Sequence, residues 1–126
     1  MNENELSKVI IGAAIEVHKE LGGPGLLEDV YEEALCHELQ LRGLVVRRQL
    51  GLRLQYKGKQ LRKRLVLDML VNDLVIVEVK SVELYNDVFE AQVLTYLRLT
   101  QKRLGLVINF GERYVHDGVH RVVNSL

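Results

Sequence analysis

The sequence predicts a single α/β domain over residues 1–126: a mixed sheet of about four strands flanked by helices, with a small C-terminal hairpin. Three observations predict it. The chain has 126 residues, enough for one ordinary domain and too few for two. Apolar residues recur at helical spacing before Gly43 and again after Asn86. Between and beyond those stretches lie short runs rich in valine, leucine and isoleucine, which alternate or are apolar throughout, as strands are.

Leu6, Val9, Ile10, Ala13, Val17 and Leu21 give residues 4–21 one apolar face, and Gly22-Gly23-Pro24-Gly25 stops that helix. A second helix spans about 26–42, with Leu27, Val30, Tyr31, Ala34, Leu35 and Leu39 inward, and ends at Gly43. From Val45 to Tyr56 the pattern alternates. Leu50, Leu52, Leu54 and Tyr56 take one face, and Gln49, Gly51, Arg53 and Gln55 the other. Lys57-Gly58-Lys59 is a turn. Leu61–Val71 and Leu74–Ser81 are two more strands, Asn86–Thr100 a third helix, and Leu104–Phe110 a buried strand. Tyr114–Val123 reads as a hairpin turning at Asp117-Gly118.

The bulk properties exclude several classes. No apolar run reaches the roughly 18 residues a spanning helix needs. Met1-Asn2-Glu3-Asn4-Glu5 is acidic and polar, unlike a signal peptide, so the cytoplasm is the expected compartment. Cys36 is the only cysteine, which rules out an internal disulfide and argues against a cysteine metal site. It lies on the inner half of a helix and is expected in the core. His116 and His120 flank Asp117-Gly118, which breaks the helix that a zinc pair four apart would need. The glycine run lacks the lysine and hydroxyl of a phosphate loop.

Net charge is zero, but the charge is sorted along the chain. No acid lies between Leu39 and Leu67, a stretch carrying Arg42, Arg47, Arg48, Arg53, Lys57, Lys59, Arg62, Lys63 and Arg64. Acids gather on both sides of it. Such sorting suits a protein that holds a polyanion beside a bound divalent cation, and it equally suits a solvated hairpin.

Three charges stand inside two very apolar strands: Asp68 in Leu65–Val71, and Glu78 and Lys80 in Val75–Lys80. Charge in low dielectric must pair, shift its pKa or bind a metal. Glu78 and Lys80 are two apart and share a face. Asp68 lies opposite Glu78 only if the connecting loop is the three residues Asn72 to Leu74; a two-residue loop at Asn72-Asp73 sends Glu78 to the other face. Two converging carboxylates make a hard oxygen site for Mg²⁺ or Mn²⁺, with the Val79 carbonyl as a further ligand. Lys80 could orient or help deprotonate a water and offset charge on a phosphate. A buried Asp–Lys or Glu–Lys ion pair would use the same residues. Ser81, directly after Lys80, is either a substrate contact or an ordinary polar residue at a strand end.

Gly25-Leu26-Leu27-Glu28-Asp29-Val30-Tyr31 reads G-x-x-E-x-x-Y. Further blocks follow in order around it: Ile10–His18, Tyr56–Lys59, Asp68–Val71, Ile76–Ser81, Ala91–Leu97 and Gly105–Gly111. Together they resemble the GxxExxY proteins of the PD-(D/E)XK nuclease superfamily over nearly the whole chain. The resemblance implies a restriction-endonuclease-like core and a divalent-metal-dependent nuclease. It makes Asp68 and Glu78 the metal carboxylates, Lys80 the catalytic lysine, and Glu28 an acid that completes the metal shell. Gln92 and Tyr96 match the Q-x-x-x-Y element of RecB-type and CRISPR-associated exonucleases. Leu67 stands where the older superfamily signature has proline.

The residues themselves agree with these roles. Gln92 and Tyr96 are i and i+4 and lie one above the other on a helix. Glu28 and Glu32 are one turn apart, so either could point at the site; Glu28 is favoured because the Gly25 loop fixes its place in the first turn, where acids are also favoured electrostatically. The expected function is hydrolysis of DNA phosphodiester bonds with Mg²⁺ or Mn²⁺, Arg47, Arg48, Arg62, Lys63 and Arg64 holding the backbone. The alternative is a non-catalytic nucleic-acid-binding or accessory module that keeps the metal site. The chain is small for a nuclease and shows no separate recognition domain, which favours a partner protein or a homo-oligomer.

Overall fold

The computed structural model describes residues 1–126. Helix α1 (Glu3–Glu20) starts in a capping box: the N–H of Glu5 donates to the Asn2 side chain, and the Glu5 carboxylate accepts the N–H of Asn2. Helix α2 (Glu28–Leu41) follows the glycine loop. Strands β1 (Val46–Tyr56), β2 (Lys59–Val71) and β3 (Val75–Lys80) come next, then α3 (Val88–Thr100) and β4 (Leu104–Asn109). A 3₁₀ turn, Val115–Gly118, leads into β5 (Val119–Val123).

The sheet has five strands in the order β1-β2-β3-β4-β5, one more than the four expected. All neighbours are antiparallel except β3 and β4, which run parallel. A parallel pair needs a crossover, and α3 supplies it. The C-terminal segment differs from the expected hairpin. Asp117-Gly118 belongs to the 3₁₀ turn, and β5 pairs directly with β4 (Val107 opposite His120).

Helices α1 and α2 cover one face of the sheet. Leu6, Ile10, Ala13, Tyr31, Leu35 and Cys36 bury there against Met69, Val71, Val75, Val77, Val79, Leu104 and Ile108. Helix α3 covers the other face, where Val93, Tyr96 and Leu97 meet Leu67, Leu70, Ile76 and Val107. Gly105 permits that approach, because a Cβ there would collide with Val93. Helix α2 is rotated from the expected orientation. Leu27 and Val30 are exposed, and Glu32 is buried instead. No helix is long and apolar enough to cross a membrane.

The β1–β2 hairpin changes sides partway along. Val46, Met69 and Val71 pack with the α1/α2 layer, whereas Leu50, Leu52, Leu65 and Leu67 pack with α3. The numbering of partners is continuous across the change, from Arg48 opposite Met69 to Leu50 opposite Leu67. Gln49, at the switch, has left-handed backbone (φ 53°). A strand residue in that conformation breaks the alternation that would keep every second side chain on one layer.

Candidate active site

The β2–β3 connection is the three-residue loop: Val71 is opposite Val75, Leu70 opposite Ile76 and Met69 opposite Val77. Asn72 and Asp73 both take left-handed backbone in this turn (φ 51° and 56°). Asparagine and aspartate tolerate that conformation best after glycine. The next facing positions are therefore Asp68 and Glu78, and there the ladder stops. The carboxylates take over from the missing carbonyls. The N–H of Asp68 donates to Glu78 Oε1 at 2.9 Å, and the N–H of Val79 donates to Asp68 Oδ2 at 2.8 Å. Each strand thus caps the other with an acid, and a gap opens between them.

Both acids are perturbed. Burial raises Asp68 to about 6, the charge on Glu32 adding to it, against the hydrogen bond from Val79. Burial first, then the neighbouring Asp68 charge, raises Glu78 to about 8. Two carboxylates this close repel, and they titrate as a pair. Neither forms an ion pair with a lysine, arginine or histidine. The buried Asp–Lys or Glu–Lys pair that could have explained these charges is not what the chain forms.

Lys80 ends β3, half-buried, with Nζ 4.5 Å from the centre of the Phe89 ring on α3. A cation over an aromatic face is attracted by the ring quadrupole. The Lys80 charge still reaches both acids and favours their ionised forms. Tyr96 is buried beneath the pair, its hydroxyl 3.5 Å from the Val66 carbonyl. Burial raises its pKa to about 12, with the charges of Glu78 and Asp68 adding, while the Gln92 side chain acts in the opposite direction. Asp68, Glu78, Lys80, Gln92 and Tyr96 therefore gather on the α3 side of the sheet.

Glu28 does not join them. It stands exposed at the start of α2, and the acid of that helix whose charge reaches Asp68 is Glu32. Glu32 is 6% exposed and accepts from Arg48 Nη2 at 2.8 Å and from Gln49 Nε2 at 3.0 Å. Gln49 Nε2 lies 3.5 Å from Asp68 Oδ1, so Gln49 bridges the two acids. This corrects two expectations. Helix rotation takes Glu28 outward and Glu32 inward, and Arg48 is committed to Glu32 rather than free. Arg47, Arg62, Lys63 and Arg64 are exposed and form no ion pair.

Gln49 and Phe89 were not singled out in the sequence. The only sign of Gln49 was a polar residue in a leucine-rich strand, and Phe89 looked like any apolar helix residue. Ser81 donates to the Leu26 carbonyl at 2.7 Å, closing the α2 loop onto β3. His116 lies beside Asp117 and His120 beside Glu90, so the two histidines do not converge.

The donor set suits a hard divalent cation: half-buried Asp68 and buried Glu78 side by side, with no cation of the protein in contact with either carboxylate. A strand residue's N–H and C=O leave on the same side, so the Val79 carbonyl is directed into the same gap as its N–H. No three His, Cys, Asp or Glu side chains form a metal-ligating group, so the protein offers two acids there rather than three.

No curated protein and no solved structure matches this chain. A model of the PD-(D/E)XK nuclease superfamily does, over residues 4–122, and that span holds both helical layers, the whole β1–β4 sheet and every residue of the carboxylate site. The chain belongs to the PD-(D/E)XK nuclease superfamily.

Proposed function

We propose that this chain is a divalent-metal-dependent nuclease that hydrolyses phosphodiester bonds of DNA, using Mg²⁺ or Mn²⁺. The observation that carries the reading is the unneutralised pair of half-buried Asp68 and buried Glu78 beside Lys80, at the point where β2 and β3 part. Asp68, Glu78 and the Val79 carbonyl would hold the cation, with Glu32 behind Gln49. A bound cation of this kind lowers the pKa of water and offsets phosphate charge.

The protein's own groups supply the rest. Lys80 Nζ, held against Phe89, orients the attacking water and stabilises negative charge on the phosphate oxygens. Gln92 and Tyr96 line the same side, where an amide and a phenol can fix a carboxylate or a phosphate. Water adds to phosphorus, the P–O bond to the leaving oxygen breaks, and that oxygen takes up a proton. The exposed cations Arg47, Arg62, Lys63 and Arg64 hold the nucleic-acid backbone and carry affinity without base choice.

One observation favours the alternative of a nucleic-acid-binding or accessory module that does not cut. With no third ligating side chain in place, water, the substrate, a partner or a second copy fills the rest of the cation's shell. Hydrolysis of single- and double-stranded DNA with Mg²⁺ or Mn²⁺ separates the readings. Native chain should cut, and Lys80→Ala and Asp68→Asn should lose at least about a hundredfold in rate, on the scale of removing one transition-state donor. Metal binding and DNA binding with no cleavage would replace the first reading by the second.

A further inference from the structure

A pocket of about 320 Å³ lies on the α1/α2 side of the sheet, away from the carboxylates. His18 and Lys19 at the end of α1, and Arg113, Tyr114 and His116 after β4, line it, with Gly22 and Gly23 beside them. No acidic side chain lines it. Lys19 and Arg113 form no ion pair, and His116 has only the exposed Asp117 at 3.2 Å. Cations gathered around an acid-free pocket repel one another until an anion enters.

His18 gives the pocket a buried wall. It is 5% exposed, and its Nε2 lies 3.1 Å from the Phe110 carbonyl. A carbonyl only accepts, so Nε2 carries the hydrogen and Nδ1 is the other ring nitrogen. Nδ1 has no protein partner, yet no buried side-chain nitrogen or oxygen lacks one. Nδ1 therefore has solvent access. Tyr114 is 55% exposed, with the Arg113 guanidinium 5.3 Å from the ring centre. An exposed phenol ring beside a guanidinium plane is a surface on which a nucleobase stacks. Gly22 and Gly23 have φ of 87° and 93°, so the chain turns there without placing a side chain in the pocket.

We propose that this pocket is a nucleotide-phosphate site: Lys19, Arg113 and His116 hold a phosphate, and Tyr114 stacks the attached base. The pocket sits at the carboxyl end of β4, where open α/β sheets take ligands. The N–H of Phe110 donates to the Lys80 carbonyl at 2.8 Å, so the wall behind His18 is joined to the strand that carries Lys80. The site does not depend on the metal centre or on cleavage.

The whole chain is titrated in EDTA with 2′-deoxyadenosine 5′-monophosphate, deoxyadenosine and inorganic phosphate, following backbone amide NMR shifts. The monophosphate should shift Gly22, Gly23 and the amides from Arg113 to His116, and should bind at least about tenfold more tightly than deoxyadenosine. The double variant Lys19→Ala/Arg113→Ala should lose about tenfold or more in monophosphate affinity with an unchanged melting temperature. Tyr114→Ala should weaken the monophosphate and leave inorganic phosphate as it was. Oligonucleotides with and without a 5′-phosphate then name the source. Preference for the phosphorylated end makes the pocket a strand-terminus site, and equal binding makes it a site for an internal phosphodiester; either upholds it. Absence of shifts at these amides, shifts confined to Asp68, Glu78 and Lys80, or full monophosphate affinity in the double variant overturns it.

Discussion

Asp68 and Glu78 face each other one position beyond the last backbone pair of β2 and β3, and the N–H of Asp68 donates to Glu78 Oε1 at 2.9 Å. Side chain replaces ladder at the point where the strands separate. The arrangement keeps two acids close together in a place where each raises the cost of ionising the other. It is a poor device for stability and a good one for holding a divalent cation, and the two properties make opposite, measurable contributions.

The metal-free protein should lose stability as pH rises. Both carboxyls are raised above their ordinary values, Asp68 to about 6 and Glu78 to about 8, so the folded state binds more protons than the unfolded state between those values and the unfolded range near 4. Where the native state binds the extra protons, unfolding free energy falls with rising pH. Melting temperature in EDTA should therefore decline from about pH 4 towards pH 8 by this contribution. Glu78→Gln should flatten the decline. Millimolar Mg²⁺ or Mn²⁺ should raise the melting point most at the alkaline end, where the ligands are deprotonated. A native chain and a Glu78→Gln variant with superimposable pH profiles would show that the pair does not titrate in this window.

Glu32 and Gln49 should matter to metal binding, and Glu28 should not. Gln49 bridges Glu32 and Asp68 from left-handed backbone, a conformation that costs a non-glycine residue about 1 kcal/mol or more. Residues behind a metal ligand typically change affinity by about 10–100-fold when removed. Mn²⁺ titration by calorimetry should show a loss of that order for Glu32→Gln and Gln49→Ala, with Glu28→Gln equal to the native chain. If Glu28→Gln alone weakens Mn²⁺, the outward placement of that acid is wrong.

How much of this was legible in the sequence depends on the range of the contact involved. The Asn72–Leu74 loop was, because placing Asp68 across from Glu78 admits only one loop length. The choice between Glu28 and Glu32 was not. Both lie in the first part of α2, one turn apart, and the decision is made by Arg48 and Gln49 from another element. The change of side at Gln49 was also hidden, since Leu50, Leu52 and Leu54 alternate identically whichever layer they face. The expected C-terminal hairpin failed for a related reason: Asp117-Gly118 is good turn sequence, but β4 offers β5 a longer partner than residues 114–116 could.

The exposed cations of β2 should set the salt dependence of DNA binding. Arg62, Lys63 and Arg64 are exposed and unpaired near the distal end of β2. Each phosphate contact removed should lower the slope of log K against log salt by about 0.9, so replacing all three by alanine should lower it by roughly 2.7. Arg48→Ala should behave differently. It strips the partner from buried Glu32 and should lower the melting temperature while leaving the slope nearly unchanged. Binding isotherms on one duplex across a salt series decide this, and an unchanged slope in the triple variant would remove these three cations from the interface.

Tyr31 should prove to be a fastener for the glycine loop rather than a reacting group. Its ring is fully buried and stacked on Phe110, with centroids 4.6 Å apart and planes 8° apart. Its hydroxyl donates to the Gly23 carbonyl at 2.7 Å and accepts the N–H of Leu26 at 3.2 Å. Those two bonds clasp the loop from Gly23 to Leu26, in a turn where Gly22, Gly23 and Gly25 hold left-handed backbone that few other residues would accept. Tyr31→Phe keeps the stack and deletes both bonds, so urea unfolding should show a loss of about 1–2 kcal/mol. Metal affinity at Asp68 and Glu78 should be unchanged, because the hydroxyl contacts neither. A variant as stable as the native chain, or one that loses Mn²⁺ without losing stability, would mean that the hydroxyl acts on the site and not on the loop.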